Sequence, residues 1–168
     1  GVPTVGACAG QFTANTMAMA AEAMGLALPH SSMLPAVASA RRILAKRSGL
    51  VLARMVQAGG PLPRDLVTRK SLHNAAAAVA ATGGSTNAAL HLPAIAHEAG
   101  IAFTLADIAQ IFARTPLLAD LQPGGRYWAR DLDWVGGVPS LLRAMLGADL
   151  LHADCPTITG LTIGEVAL

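Results

Sequence analysis

The chain has 168 residues, 53% of them hydrophobic and 13% charged, enough for one domain-sized core and too apolar for a disordered tail. The net charge is +2 and no basic run exceeds two residues, so the broad cationic surface that nucleic acid requires is missing. No apolar stretch reaches the roughly 20 residues of a membrane span, and the expectation is a cytoplasmic protein with neither nucleic acid nor membrane as partner.

In chain order, the first expected element is a helix from Thr13 to Met24, built of Ala, Met, Thr and Glu and stopped by Gly25. A second helix is expected from Pro35, a favourable first helical position, with Arg41, Arg42, Lys46 and Arg47 as its solvated stripe and Gly49 as a stop or kink. Thr68 is placed to cap an alanine-rich helix to Ala81, closed by Gly83-Gly84. Ser85 then opens another helix toward His97, with a kink expected at Pro93. Thr104 and Asp107 have capping spacing before a short helix that ends ahead of Pro116.

Leu117 to Leu121 reads as a buried strand leading into the Gln122-Pro123-Gly124-Gly125 turn. Gly136-Gly137-Val138-Pro139 begins a helix to about Leu146. Leu150-Leu151-His152 and Thr157-Ile158-Thr159 read as short strands around the Asp154-Cys155-Pro156 bend. The fold class is therefore α/β, helix-dominated with a few short parallel strands, and residues 1–168 form a single segment. Gly1 without an initiator Met, and the Thr162/Glu165 capping spacing just before Leu168, lead us to expect that both ends are cuts through a longer protein.

Two places could carry chemistry. Cys8 lies among small residues immediately before a helix start, where free N–H groups favour a thiolate; the plainer reading of a lone cysteine is a small buried hydrophobe. One thiolate cannot hold a cluster, so a ligand role requires cysteines from elsewhere. Ser85, Thr86 and Asn87 follow a glycine turn at a helix start, a corner suited to a carboxylate or phosphate, with simple capping by Ser85 as the alternative. The five histidines show no His-Glu-x-x-His spacing, and Asp154 reads as a bend residue ahead of a metal ligand.

The strings GACAGQFTANTM (from Gly6), LPHSSMLPA (from Leu28), PRDLVTRKSLHNA (from Pro63), GGSTNAALHLPAIAHEAGI (from Gly83), DLQPGGRY (from Asp120), GGVP (from Gly136) and LLHADCPTITGLTIGE (from Leu150) run in one order over nearly the whole chain. Together they resemble the dihydroxy-acid and sugar-acid dehydratases, with TANTM closer to the dihydroxy-acid branch. The resemblance implies part of the N-terminal, cluster-binding domain of a two-domain enzyme. It makes Cys8 the last of three cysteines that hold an iron–sulfur cluster, a two-iron cluster ahead of a four-iron one. The Mg2+ ligands and the catalytic serine would lie outside this segment, which would hold no catalytic residue and be inactive alone.

The implied activity is that of a hydro-lyase in branched-chain amino-acid biosynthesis, converting 2,3-dihydroxy-3-methyl carboxylates to 2-oxo acids. The serine would take the C2 proton while the cluster iron serves as Lewis acid toward the departing hydroxyl. Its partners would be the small dihydroxy acid, the C-terminal domain of the same chain, and further copies in a homodimer or homotetramer. The alternatives are an aldonic-acid dehydratase and a non-catalytic homologue that kept the fold. The chain departs from the family pattern at His30 and Ala153, where glycine is usual, at His73, where glutamate is usual, and at Leu161, where a basic residue is usual. His30 is expected to strain a turn that needs positive φ.

Overall fold

In the computed structural model, residues 9–168 are described. Along them run α1 (Thr13–Ala23), α2 (Ala40–Ala58), α3 (Pro63–Leu66), α4 (Arg69–Ala81), α5 (Ala88–Glu98), α6 (Leu105–Arg114), α7 (Ala129–Trp134), α8 (Gly137–Gly147) and α9 (Ile163–Ala167). The core is organised around α4. Leu72, Ala75, Ala76, Ala77, Ala78, Val79 and Ala81 are all fully buried there, because a helix of methyl-sized side chains can be approached closely from several sides. Helices α1, α5, α6 and α8 pack on it, and α7 and α9 pack on α8.

The capping signals form as expected. Thr68, Thr104 and Thr162 each accept from the backbone N–H three residues on. Asp107 and Glu165 return the contact to the N-cap backbone at 2.7 Å. Gly25 follows α1 with φ +78°, and a Cβ there would lie 2.5 Å from the Pro156 carbonyl oxygen, so only glycine fits. His30 does adopt φ +66°, as the turn was expected to demand.

Several boundaries differ from expectation. Helix α2 starts at Ala40, with Pro35 in the preceding turn, and runs straight through Gly49. Helix α5 begins at Ala88 with Asn87 at its N-cap, and Ser85 stays in the turn; it continues through Pro93 to Glu98. The short α3 and α7 were not anticipated.

Helix dominance holds, but among the described residues no strand forms; two isolated bridges, Leu121 with Tyr127 and Pro156 with Thr162, stand in their place. The backbone groups of the expected strands are satisfied elsewhere. Leu118 and Ala119 donate to the Ala81 carbonyl at 2.8 and 2.9 Å, closing the C-terminal end of α4. The buried Asn74 side chain takes the role of a neighbouring strand, accepting from His152 N at 2.8 Å and donating to His152 O at 2.9 Å. Ile158 N donates to Gly25 O at 2.9 Å.

Candidate functional site

Cys8 lies outside the described residues. The residues that follow it are described, and their backbone is tied down from several directions. Ala9 O accepts from Ala129 N at 2.7 Å, at the start of α7, and Gln11 N donates to Gln122 O at 2.6 Å. Asn15 Nδ2 donates to Gly10 O at 2.8 Å, and Thr16 Oγ1 donates to Gln11 O at 3.0 Å. The first turn of α1 thus folds its polar side chains back onto the segment that enters it. Gly10 sits so close to the Gln122 loop that a Cβ would fall 2.8 Å from Gln122 O. The partner loop is itself braced by a 2.6 Å Asp120–Arg126 ion pair and by Gln122 N donating to Tyr127 O at 2.7 Å.

The Ser85–Thr86–Asn87 corner comes to the same place. Ser85 N donates to Thr16 Oγ1 at 3.0 Å, Asn87 Nδ2 donates to Thr13 Oγ1 at 2.6 Å, and the Ser85 and Thr13 hydroxyls lie 3.4 Å apart. Ser85 Oγ accepts from Asn87 N at 3.3 Å, which is not a cap on the body of α5. Thr86 is exposed at the tip of the turn. The polar groups of Ser85 and Asn87 are therefore spent largely on docking this turn to the first turn of α1. The expected anion corner is, in geometry, the second wall of the entrance to α1.

Helix α1 has no acidic residue in its first turn, and its N-cap, Phe12, makes no side-chain capping bond. The positive end of the helix dipole is left for a negative group arriving from the N-terminal side. Buried Gln11 adds a polar atom: its Nε2 donates to Thr82 Oγ1 at 3.2 Å, while Oε1 meets no partner among the described residues. These groups make the described entrance to α1 one that favours negative charge. They do not themselves supply the ligands of a cluster, since the described residues contain no group of three or more His, Cys, Asp or Glu able to hold a metal ion.

A family profile, the N-terminal domain of the dihydroxy-acid/6-phosphogluconate dehydratases, matches residues 1–166. The chain belongs to that dehydratase family. It is 63% identical over 97% of its length to dihydroxy-acid dehydratase 2 of Bordetella bronchiseptica, covering 29% of that protein. It is 57% identical over 98% of its length to dihydroxy-acid dehydratase 3 of Bradyrhizobium diazoefficiens, and 56% identical over 97% to the dihydroxy-acid dehydratase of Dinoroseobacter shibae, covering 28% of each. The dehydratase chain thus spans under a third of these relatives.

Elsewhere in the dehydratase chain, Cys155 is a poor ligand. It is 2% exposed, burial pushes its thiol up to about 11, and Asn74 Nδ2 lies 3.6 Å from its sulfur. Asp154 lies in a turn, as expected, and is engaged by Lys70 in an ion pair. Ala153 is accommodated because Gly164 lies opposite, and Leu161 is exposed. His91 and His97 are exposed as well.

Sequence reasoning missed Glu22. Its buried carboxylate accepts from Ser32 N at 2.5 Å, Ser32 Oγ at 2.6 Å, Ser31 Oγ at 3.2 Å and His30 N at 3.1 Å, and so clamps the turn where His30 takes positive φ. Burial raises its pKa, with the four donors acting in the opposite direction. A lone Glu in an otherwise uncharged helix was the available signal.

Proposed function

We propose that this chain is part of the cluster-binding N-terminal domain of a dihydroxy-acid dehydratase, a cytoplasmic, homo-oligomeric hydro-lyase of branched-chain amino-acid biosynthesis. The observation that carries the reading is 63% identity over 97% of the chain to a protein named for that activity. The substrate is a 2,3-dihydroxy-3-methyl carboxylate and the product a 2-oxo acid. Cys8 is the iron–sulfur ligand this segment contributes. The bound cluster, a two-iron cluster in our reading, supplies Lewis acidity toward a leaving hydroxyl.

The segment's own residues hold the base of that ligand still. Asn15 and Thr16 fix the carbonyls of Gly10 and Gln11, the Gln122 loop and Ala129 fix the same stretch from outside, and Ser85 and Asn87 brace α1. The magnesium ligands, the catalytic serine and the C-terminal domain belong to the rest of the protein.

Anaerobic reconstitution of the full-length protein with iron and sulfide tests this reading. A cluster absorbance band and release of 2-oxo acid from 2,3-dihydroxyisovalerate are expected, both lost in Cys8→Ala. An unchanged Cys8→Ala variant would return Cys8 to a structural role. A cluster without turnover would direct the assay to aldonic acids.

A further inference from the structure

Far from the α1 entrance in sequence, α4, α6 and the 150–155 loop enclose an open cleft of about 350 Å3. Its floor is His73, Phe103 and Ile111, and its rim carries Arg69, Lys70 and Arg114. Nothing in the proposed dehydration uses it.

The charges around the cleft do not cancel. Arg69 is taken up by the Asp107 carboxylate and the Ala102 carbonyl, and Lys70 by the Asp154 carboxylate. Arg114, at the end of α6, meets no carboxylate among the described residues; its guanidinium contacts His73 Nε2. A guanidinium can only donate, so Nε2 is the acceptor and the ring proton sits on Nδ1. That Nδ1 is buried and has no partner among the described residues. The His152 ring stands edge-on to His73, with centroids 4.6 Å apart. The cleft therefore presents a guanidinium with no carboxylate partner among the described residues and two imidazoles beside it.

We propose that this cleft binds a small inorganic oxyanion of the sulfate or phosphate type, seated against Arg114, His73 and His152. Such a ligand supplies negative charge for the guanidinium and acceptor oxygens for an imidazole N–H that faces it once Arg114 turns from His73 Nε2 to the anion. It also explains why His73 is tolerated in so cationic a place.

Without a ligand, burial, His152, Arg114 and Arg69 hold the His73 imidazole down to about 4, in its neutral form. A bound dianion reverses the sign of the local field, draws Arg114 off Nε2 and favours the doubly protonated ring, so binding takes up a proton and tightens as pH falls. Of the other ionisable groups facing His73, Asp107, Asp154, Lys70 and Arg69 are paired with one another, and His152 stands beside the ring, so a His152→Gln variant separates its part from that of His73.

Calorimetric titration of the full-length protein with sodium sulfate in a low-chloride buffer tests the proposal. Sulfate keeps its charge between pH 6 and pH 8, so any pH dependence belongs to the protein. Saturable binding is expected, tighter at pH 6. Arg114→Ala should weaken it about tenfold or more, the equivalent of a lost charge-assisted hydrogen bond. His73→Gln should remove more of the pH dependence than His152→Gln does, and His73→Glu, which builds a carboxylate beside Arg114, should abolish binding. Arg114 is exposed, so its variant should fold, and an unchanged circular dichroism melt verifies this. Absence of saturable binding, or affinity indifferent to Arg114→Ala, overturns the proposal. Should any variant fail to fold, the pH dependence of the unaltered protein still decides, because affinity that is flat from pH 6 to 8 removes His73 from the site.

Discussion

Helices α4 and α2 are built from similar helix formers and meet opposite fates. In α4 nine of the thirteen residues are buried, and the helix is the hub against which four others pack. In α2, nineteen residues long, none is fully buried, and Ile43, Leu50, Leu52 and Val56 are more than half exposed. The half-buried Leu44, Val51 and Met55 mark its inner side, and Val51 and Met55 border a cleft of about 390 Å3 shared with the 26–31 segment. The comparison separates two sources of helical order: close approach permitted by small side chains in α4, and local propensity over a long run in α2.

The most forceful way to break that contrast is truncation. Leu72→Ala, at a fully buried site on α4, should cost about 2–5 kcal/mol, whereas Val56→Ala, 73% exposed on α2, should stay within about 0.5 kcal/mol. Denaturant midpoints of the two variants check this; equal losses would mean that α2 is packed in solution.

A smaller effect concerns pH. With His73 held near 4 in the folded protein and close to 6.5 when unfolded, the unfolded chain binds more protons between those values. The contribution is complete above about pH 6.5 and is lost as pH falls toward 4. Because the ring is only part-buried, we expect on the order of 1 kcal/mol after allowing for solvent screening. The difference in stability between the unaltered protein and His73→Gln across that window isolates it from Glu22, whose raised pKa works in the opposite sense.

The smallest change runs toward greater stability. Gly49 lies inside α2 with open space where a Cβ would go. Gly49→Ala should therefore add about 0.5–1 kcal/mol, read as a higher melting temperature. A loss would show that a close neighbour covers this face in the longer protein.

Local signals were legible and distributed ones were not. Thr68, Thr104 and Thr162 announced their helices because a capping box is complete within four residues. His30 announced a left-handed turn only through the resemblance, because glycine is usual at its position. The expected strands failed because strand formation depends on which partner arrives. Here the partners are the Ala81 carbonyl, the Asn74 side chain and Gly25, far away in sequence. Ser85 and Asn87 were singled out as an anion corner, but their bonds to Thr13 and Thr16 span about seventy positions and have no spacing signature. The identity of Cys8 as a candidate came from its surrounding string, and the polar first turn of α1 was a signal that could have suggested how residues 9–11 are anchored.

The pins on residues 9–11 have an implication for mutational scanning. Two of them, Ala129 N to Ala9 O and Gln11 N to Gln122 O, join main chain to main chain. Ala9 and Ala129 are alanine already, and replacing Gln11 or Gln122 by alanine leaves both bonds in place, so a conventional alanine scan would not register these tethers. Proline is the informative substitution, because at position 11 or 129 it deletes the donor itself. A tether written in amides is invisible to side-chain chemistry, so at positions 9, 11 and 129 it is burial, and not these bonds, that restricts which side chain can stand there.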